Sequence, residues 1–477
     1  MGKSRRMAKK PWWQAFLRER KKEELKKRVA QIEKEREEAL SAGRSTDASD
    51  KHSERDVSAK ERDRGKSHGG AHSRGGRPQS KPSAKRPEPC LVVSAPKSAH
   101  GLQIPVWVYD NMVDSVEGAP ADGGTVYVVS KSGKFLGSAI YNSQSKIRAR
   151  LFSLEQIEFS DAYIETAIIA AWKRRRAFFQ LDDSFRAVFS ESDGLPGVIA
   201  DKLGTVLVVQ LLTMAADKHR EAVLSALQAL YDPKVMVVRD DIPVREKEGL
   251  PVSEPTVVGE LTLPHAIELD GITYFCDPVH GQKTGLFLDQ RINRKLLGSF
   301  VSGKRVLDLY CHVGGWGFVA AKHGAAEIIA VDSSSPAIEL ARRGAEANQF
   351  TNIRFECEDV FDFLTEALKE RQEFDVVVCD PPAFAKSHKH LEEAERTYLS
   401  LNYRAMKLVA PHGFLITCSC SQVLSDDHFG LILSTAARNA TRRFQRIARG
   451  SQPPDHPVLV GFPESEYLKC WVLQRLE

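Results

Sequence analysis

The sequence predicts an α/β protein in which a doubly wound parallel sheet follows a small β-barrel and an α+β module. Three observations carry this expectation. From residue 266 to 477, strand-like and helix-like runs alternate in units of ~20 to 35 residues, long enough for crossovers between parallel strands. Residues 90–160 instead hold short apolar or alternating runs separated by turn residues. The stretch KRVLDLYCHVGGWG, residues 304–317, reads as strand, tight glycine turn and helix.

Taken in order, residues 1–89 form a basic extension with 26 Lys and Arg against 14 Asp and Glu. That is a net of +12, which leaves −7 for the rest of a chain whose total is +5. Residues 12–42 suit a solvated helix or a coil, and 43–89, rich in Ser, Gly, Arg and Lys, lack the apolar content to fold alone. The segment is either an RNA-tethering arm, with Trp12, Trp13 and Phe16 as stacking groups, or an extension without a specific role. In the barrel, LVVSA, VWVY, TVYVVS, KFLGSAIYN and KIRARLF are the strands, with Gly123-Gly124 and Ser132-Gly133 as turns. Lys146, Arg148 and Arg150 alternate on the last strand, as on any solvent-facing strand.

Residues 161–265 form the α+β module: a helix over 162–180, strands around AVFSE, GVIAD and TVLVVQLL, a helix near 217–231 and strand VMVVRD. DGLPG is a turn between two strands. Arg174, Arg175 and Arg176 read as a solvated helix end. The third region runs RVLDLY, FVAAKHG, EIIAVD, PAIELARRGAEANQF, IRFECED, VFDFLTEALKE, DVVVCD, AERTYLSLNYRAMKLVA, GFLITC, DDHFGLILSTAARNA and a closing YLKCWVLQRL hairpin.

Length and a 42% hydrophobic content suffice for two to four ordinary domains. No apolar run is long enough for a membrane span, and PWWQAFL is too short for a signal peptide, so a cytoplasmic protein is expected. The 8 cysteines show no metal-ligand spacing, so no metal is expected. Cys311, Cys357 and Cys379 read as buried strand residues.

The glycine loop points to a cofactor. Asp308-x5-Gly314-Gly315-x-Gly317 is neither a P-loop nor the GxGxxG dinucleotide pattern. Tyr310 lies at the strand's end, and Asp332 follows about 20 residues on, where an acid accepts from ribose hydroxyls. An acid inside the first strand repels a pyrophosphate but suits a cationic amino-acid ligand, which selects S-adenosylmethionine. Asp308 would meet the methionine end, Asp332 the ribose and Asp359, in ECED, the adenine amino group. At the fourth strand end, Asp380 opens DPPAFAKS, a stiff loop of the kind that holds a flipped base against a methyl donor. Pro381, Pro382, Phe384 and Lys386 are its substrate-facing candidates. GFLITCSCSQ then delivers Cys418 and Cys420 to the same edge. A thiolate there can add to carbon 6 of cytosine and make carbon 5 nucleophilic; equally, both can be packing cysteines.

DGLPGVIAD at 193–201, DPVHGQKTGLFLDQRINR at 277–294, VLDLYCHVGGWG, DPPAFAKS, TCSCS, DHPV and PESEYLK together resemble the cytosine-5 methyltransferases of bacterial large-subunit ribosomal RNA. The resemblance covers roughly residues 90–477. It implies a PUA barrel, a middle α+β module and a Rossmann-like class I methyltransferase domain. It also implies that Gln282, Thr284, Phe287, Asp289 and Gln290 line the cofactor pocket and that Cys420 is the nucleophile. The chain departs from cytosine methyltransferases that carry a second cysteine after the loop proline, because Ala383 stands there. IPVWVY also replaces the HPWVF-like start of PUA relatives.

The function expected is S-adenosylmethionine-dependent formation of 5-methylcytosine in large-subunit ribosomal RNA, with Cys420 and Asp380 as catalytic residues. The expected partners are that RNA and, in a homodimer, a second copy. Methylation of a guanine or adenine nitrogen, which needs the Asp-Pro-Pro loop and no thiol, is the alternative. A non-catalytic RNA-binding assembly factor is the third reading.

Overall fold

The computed structural model describes Lys27 and residues 86–94, 97–98, 101–102, 105–180, 183–385 and 387–477. The expected features of residues 1–85, Lys27 apart, and Lys386 lie outside the described residues. Everything below concerns the compact unit Glu88–Glu477.

The first sheet uses β1 (Cys90–Val93), β4 (Trp107–Tyr109), β5 (Val113–Glu117), β6 (Thr125–Ser130), β7 (Phe135–Tyr141) and β8 (Ile147–Ser153) in the order β4-β8-β7-β6-β1-β5. A two-residue ladder, β2 (Lys97–Ser98) with β3 (Gly101–Leu102), stands apart. Strand β1 is the apolar centre: it pairs parallel with β6 and antiparallel with β5, and all four of its residues are buried. Arg150 departs from the solvent-facing expectation. Its side chain is 12% exposed, pairs with Glu191 at 2.8 Å and Glu248 at 2.9 Å, and covers the Trp107 ring. The last strand of this sheet is thereby fixed to the next module.

That module opens with the helix Asp161–Arg176, whose N-cap Ser160 accepts from the Tyr163 N–H. A five-stranded sheet follows: β9 (Phe185–Phe189), β10 (Val198–Leu203), β11 (Val206–Leu211), β12 (Val235–Val238) and β13 (Thr256–Val258), in the order β13-β12-β11-β10-β9. DGLPG connects β9 to β10 with Gly194 and Gly197 at positive φ, a backbone that glycine adopts without strain. The Arg174–Arg176 run is not simply a solvated helix end. Arg175 is 1% exposed, pairs with Asp193 at 2.6 Å and donates to the Asp455 carbonyl. A buried guanidinium persists because its N–H groups find acceptors.

A hairpin, β14 (His265–Leu269) and β15 (Ile272–Cys276), precedes the largest sheet. That sheet contains β16 (Arg305–Leu309), β17 (Glu327–Asp332), β18 (Ile353–Cys357), β19 (Phe374–Cys379), β20 (Val409–Ser419), β21 (Phe444–Gly450) and β22 (Lys469–Arg475). Its order is β18-β17-β16-β19-β20-β22-β21, parallel from β18 to β20, with β22 antiparallel to both neighbours. Both faces are apolar, as a sheet covered on both sides requires. Leu307, Leu309, Val377, Cys379 and Leu415 pack on one face, and Val306, Val376, Val378, Ile416 and Cys418 on the other. Each such Val, Leu or Ile side chain contributes about 1.5–3 kcal/mol on burial. Cys311 and Cys379 are buried, but Cys357, at the end of β18, is exposed. Among the described residues no helix is long and apolar enough to cross a membrane.

Candidate active site

Strand β16 has β17 on one side and β19 on the other, so the strand order reverses between β16 and β19. In open α/β sheets the crevice beyond that point holds ligands. Leu309 and Cys379 pair there, and the Asp380 N–H faces the Leu309 carbonyl at 3.4 Å. The chain leaves β16 into the glycine loop and β19 into the Asp-Pro-Pro loop side by side.

Left-handed backbone shapes the first loop: φ is +63° at Tyr310, +50° at His312 and +87° at Gly314. A Cβ on Gly314 would lie 2.6 Å from the Phe318 ring, and one on Gly315 the same distance from the Arg294 guanidinium carbon. At Gly314 the left-handed φ and the Phe318 ring together require glycine, whereas at Gly315 a side chain would have to displace the Arg294 guanidinium. The Gly317 backbone N–H donates to Asp308 Oδ2 at 2.9 Å. Asp308 is fully buried and braces the loop from beneath. Burial, with the charge of Asp380 adding to it, pushes its carboxyl up to about 8 against the Gly317 hydrogen bond. Asp332 accepts from the His312 N–H at 2.9 Å and the Ser334 N–H at 2.8 Å, closing the loop onto β17. Asp359 is exposed and caps the helix Val360–Lys369, accepting from the Phe361 and Asp362 N–H groups.

The Asp-Pro-Pro loop is anchored at its acid. Asp380 Oδ1 accepts from Gln290 Nε2 at 2.8 Å and Oδ2 from Trp316 Nε1 at 2.9 Å. Burial nevertheless raises its carboxyl above the usual range. Pro381 is buried, Pro382 exposed, and Phe384 packs on Tyr398 at 4.7 Å and near Tyr310 at 6.5 Å. Cys420 lies just past β20, with Sγ 3.8 Å from the Pro381 carbonyl oxygen. Its flanking serines are tied down: Ser419 Oγ donates to the Tyr398 hydroxyl at 3.0 Å, and Ser421 Oγ accepts from the Ala385 N–H at 3.2 Å. Cys418 lies fully buried inside β20, paired in register with Cys470. The two thiols are thus separated, because β20 ends at Ser419.

The 282–290 segment divides. Gln282 is exposed, whereas Thr284 is 1% exposed and donates to Asp201 Oδ2 at 2.5 Å. Asp201 also takes a bidentate contact from Arg186, so the segment is held by the middle module. Phe287 meets His312 edge-on at 4.9 Å under the Lys283 ammonium. Asp289 Oδ2 accepts from Lys283 Nζ at 2.7 Å and the Tyr467 hydroxyl at 2.6 Å, while its buried Oδ1 has no partner. Burial would raise this carboxyl, but Lys283, His456 and Tyr467 together hold it below the usual range.

Burial pushes the Cys420 thiol up to about 11 against the charge of Lys283. Lys469, buried beside it, donates to the Ser421 and Tyr467 carbonyls at 2.7 and 2.8 Å, and burial lowers its ammonium to about 8. Lys469 and Arg294 were not legible as site residues. The first stands inside the strand-like YLKCWVLQRL run, and the second enters only through its contact with Gly315.

A glycine loop opening onto a helix, unpartnered buried oxygens on Asp289 and Asp308, and an acid at the end of β17 fit a cationic nucleoside. The comparisons agree. Residues 193–464 match the family described as S-adenosylmethionine-dependent methyltransferase, and residues 102–154 match the PUA-like domain. Ribosomal RNA large subunit methyltransferase I of Escherichia coli O139:H28 is 37% identical over 387 residues, covering 80% of this chain and 97% of that protein. Its namesake from Tolumonas auensis is 37% identical over 377 residues, with 78% and 95% covered. Among solved structures, the methyltransferase SMU.776 complexed with SAH superposes with a TM-score of 0.66 at 22% identity, covering 74% of this chain and 92% of that one. That likeness speaks for the fold. The chain belongs to the family of S-adenosylmethionine-dependent methyltransferases with a PUA-like domain, alongside ribosomal RNA large subunit methyltransferase I.

Proposed function

We propose that the protein methylates carbon 5 of a cytosine in large-subunit ribosomal RNA, with Cys420 as nucleophile. The carrying observation is the position of Cys420: its sulfur lies against the Pro381 carbonyl of the Asp-Pro-Pro loop, whereas Cys418 is locked in the sheet. The names of the 37% identical relatives support the RNA class.

In this reading the Asp380–Phe384 loop receives a base turned out of the RNA, and Asp380, fixed by Gln290 and Trp316, accepts from its amino group. Cys420 sulfur bonds to carbon 6, which makes carbon 5 nucleophilic. The bound cofactor supplies an electrophilic methyl group. The carbon 5 proton then leaves and the carbon 6–sulfur bond breaks, returning the thiolate. Ala383 holds no thiol, so no second cysteine on this loop assists the release. Gln282, Thr284, Phe287, Asp289, Gln290, Tyr310, Asp332 and Asp359 are assigned to the cofactor side, and Lys386 to the RNA side.

The test is transfer of labelled methyl to undermodified large-subunit RNA, followed by nucleoside analysis of wild type and Cys420→Ala. Label in 5-methylcytidine that disappears in Cys420→Ala, with cofactor binding retained, is the expected result. Label in a methylated purine, or turnover surviving the substitution, overturns the reading.

A further inference from the structure

Residues 428–454 carry five arginines, Arg438, Arg442, Arg443, Arg446 and Arg449, and no Lys, Asp or Glu. The stretch is +5 inside residues 90–477, whose total is −7, so the remainder of that unit sums to −12. The structure gathers the five on one edge of the large sheet. Arg438 lies in the last turn of the helix Asp426–Asn439, Arg442 and Arg443 lead into β21, and Arg446 and Arg449 stand on it. All but Arg442 are exposed. Their acidic contacts are thin: Arg443 meets Glu477 at 3.8 Å, and Arg449 meets at 3.4 Å an Asp426 oxygen that already accepts from the Trp471 indole. Solvated pairs of this kind contribute little. Arg446 covers the Trp471 ring at 4.1 Å, and Arg442 keeps a buried Nε without a hydrogen-bond partner.

This edge leads to the candidate site. Strands β20 and β21 are both antiparallel to β22, so they point the same way and end on the same side of the sheet. Arg449, Trp471 and Thr417 share one row across it, three residues before Cys420. Just past β21 the Ser451 N–H donates to Asn293 Oδ1 at 3.0 Å, and Asn293 donates to Gln290, which holds Asp380. Charge on an edge strand also deters strand pairing, but that purpose needs no single sign. Five like charges repel one another until a polyanion covers them.

We propose that Arg438, Arg443, Arg446 and Arg449 form a track for the phosphate backbone of the RNA strand that leads to the target nucleotide. Guanidinium groups suit phosphate oxygens, and contacts to the backbone set register without reading sequence. The inference rests on the reading that RNA is the substrate, and not on which of its bases is methylated.

The test titrates the full-length protein with undermodified large-subunit RNA at salt concentrations from about 50 to 200 mM. Each phosphate contact adds about 0.7–0.9 to the slope of log affinity against log salt. The triple variant Arg443→Gln, Arg446→Gln, Arg449→Gln should therefore flatten the slope by about 2–3 and weaken binding about 10- to 100-fold near 150 mM, with S-adenosylhomocysteine affinity within about twofold. The corresponding triple Lys variant should keep the slope. Should the triple variant misfold, Arg443→Gln alone, at an exposed position, should flatten the slope by about 1. An unchanged slope overturns the track, whether affinity holds or falls. Self-association of the Gln variant with RNA binding intact would assign the arginines to edge protection. Binding lost only on protein-containing large-subunit particles would make the occupant a protein. Either result overturns the proposal. Wild-type protein whose binding to the RNA does not weaken with salt would remove the RNA reading itself, and the track with it.

Discussion

The indole N–H of Trp316 donates to Asp380 Oδ2 at 2.9 Å, joining the second residue of the helix behind the glycine loop to the first residue of the Asp-Pro-Pro loop. The glycine loop and the Asp-Pro-Pro loop therefore share one hydrogen bond, inside a region where both residues are largely shielded from water. Trp316→Phe removes the donor and leaves a carboxylate oxygen unpaired, at about 1–3 kcal/mol. Asp380 should then hold its proton to higher pH. We expect kcat to fall about tenfold with S-adenosylhomocysteine affinity nearly unchanged, measured by steady-state kinetics and titration.

The two cysteines of TCSCS should respond oppositely. Cys418→Ala empties a fully buried position beside Cys470 and should cost about 1 kcal/mol of stability while turnover stays within about twofold. Cys420→Ala should leave the melting temperature within about 2 °C and abolish turnover. Thermal melts alongside methyl-transfer assays read both.

Thiol reactivity at Cys420 should climb steeply with pH. Its thiol lies at about 11, so the thiolate fraction, and the rate of iodoacetamide alkylation of the Cys420 peptide, should rise about tenfold per unit between pH 7 and 10. Lys283 and Lys469 favour the thiolate, while Asp380 and Asp289 oppose it. The Lys469 ammonium titrates at about 8, so its help is present below that pH and fades above it. Lys469→Met should therefore slow alkylation most below pH 8, and Lys469→Arg should prolong the effect to higher pH. Peptide-resolved mass spectrometry separates Cys420 from the exposed Cys357.

Asp308 ties stability to pH. Its folded carboxyl lies at about 8, against about 3.9 in an unfolded chain. Folding therefore takes up a proton, and the stability linked to it is fully present below about pH 4 and is lost as pH rises through 8. Asp308→Asn, which cannot ionise, should gain about 1–3 kcal/mol over wild type between pH 5 and pH 8 in denaturant unfolding of the cofactor-free protein. An equal difference at both pH values would mean that the carboxyl is ionised throughout.

Much of the fold was legible because the strands of the large sheet are continuous apolar runs with an acid or a turn at their ends. RVLDL, EIIAVD and FDVVVC show this plainly. Strand β21 was not: in FQRIARG, Arg446 and Arg449 interrupt the run, and an edge strand paired only with β22 permits that. The β14–β15 hairpin carried a usable signal, Asp270-Gly271 between alternating runs, and both residues have positive φ. Cys420 and Asp380 could be placed at one edge because strand ends converge there. Arg175 and Arg294 could not be distinguished from surface arginines, since their acceptors and neighbours come from distant segments.

Arg175 donates to the Asp455 carbonyl 280 positions later, Arg186 offers its backbone N–H to the Asp455 carboxylate, and β22 fills the gap between β20 and β21. Synthesis and assembly consequently run on different clocks. A growing chain carries its middle module off the ribosome with those donors turned to water instead of Asp455, until residue 455 emerges. The sheet beside Cys420 stays split until 469–475 arrive. A chain halted before that point would lack a closed edge beside its thiol, so only nearly complete translation yields an assembled site.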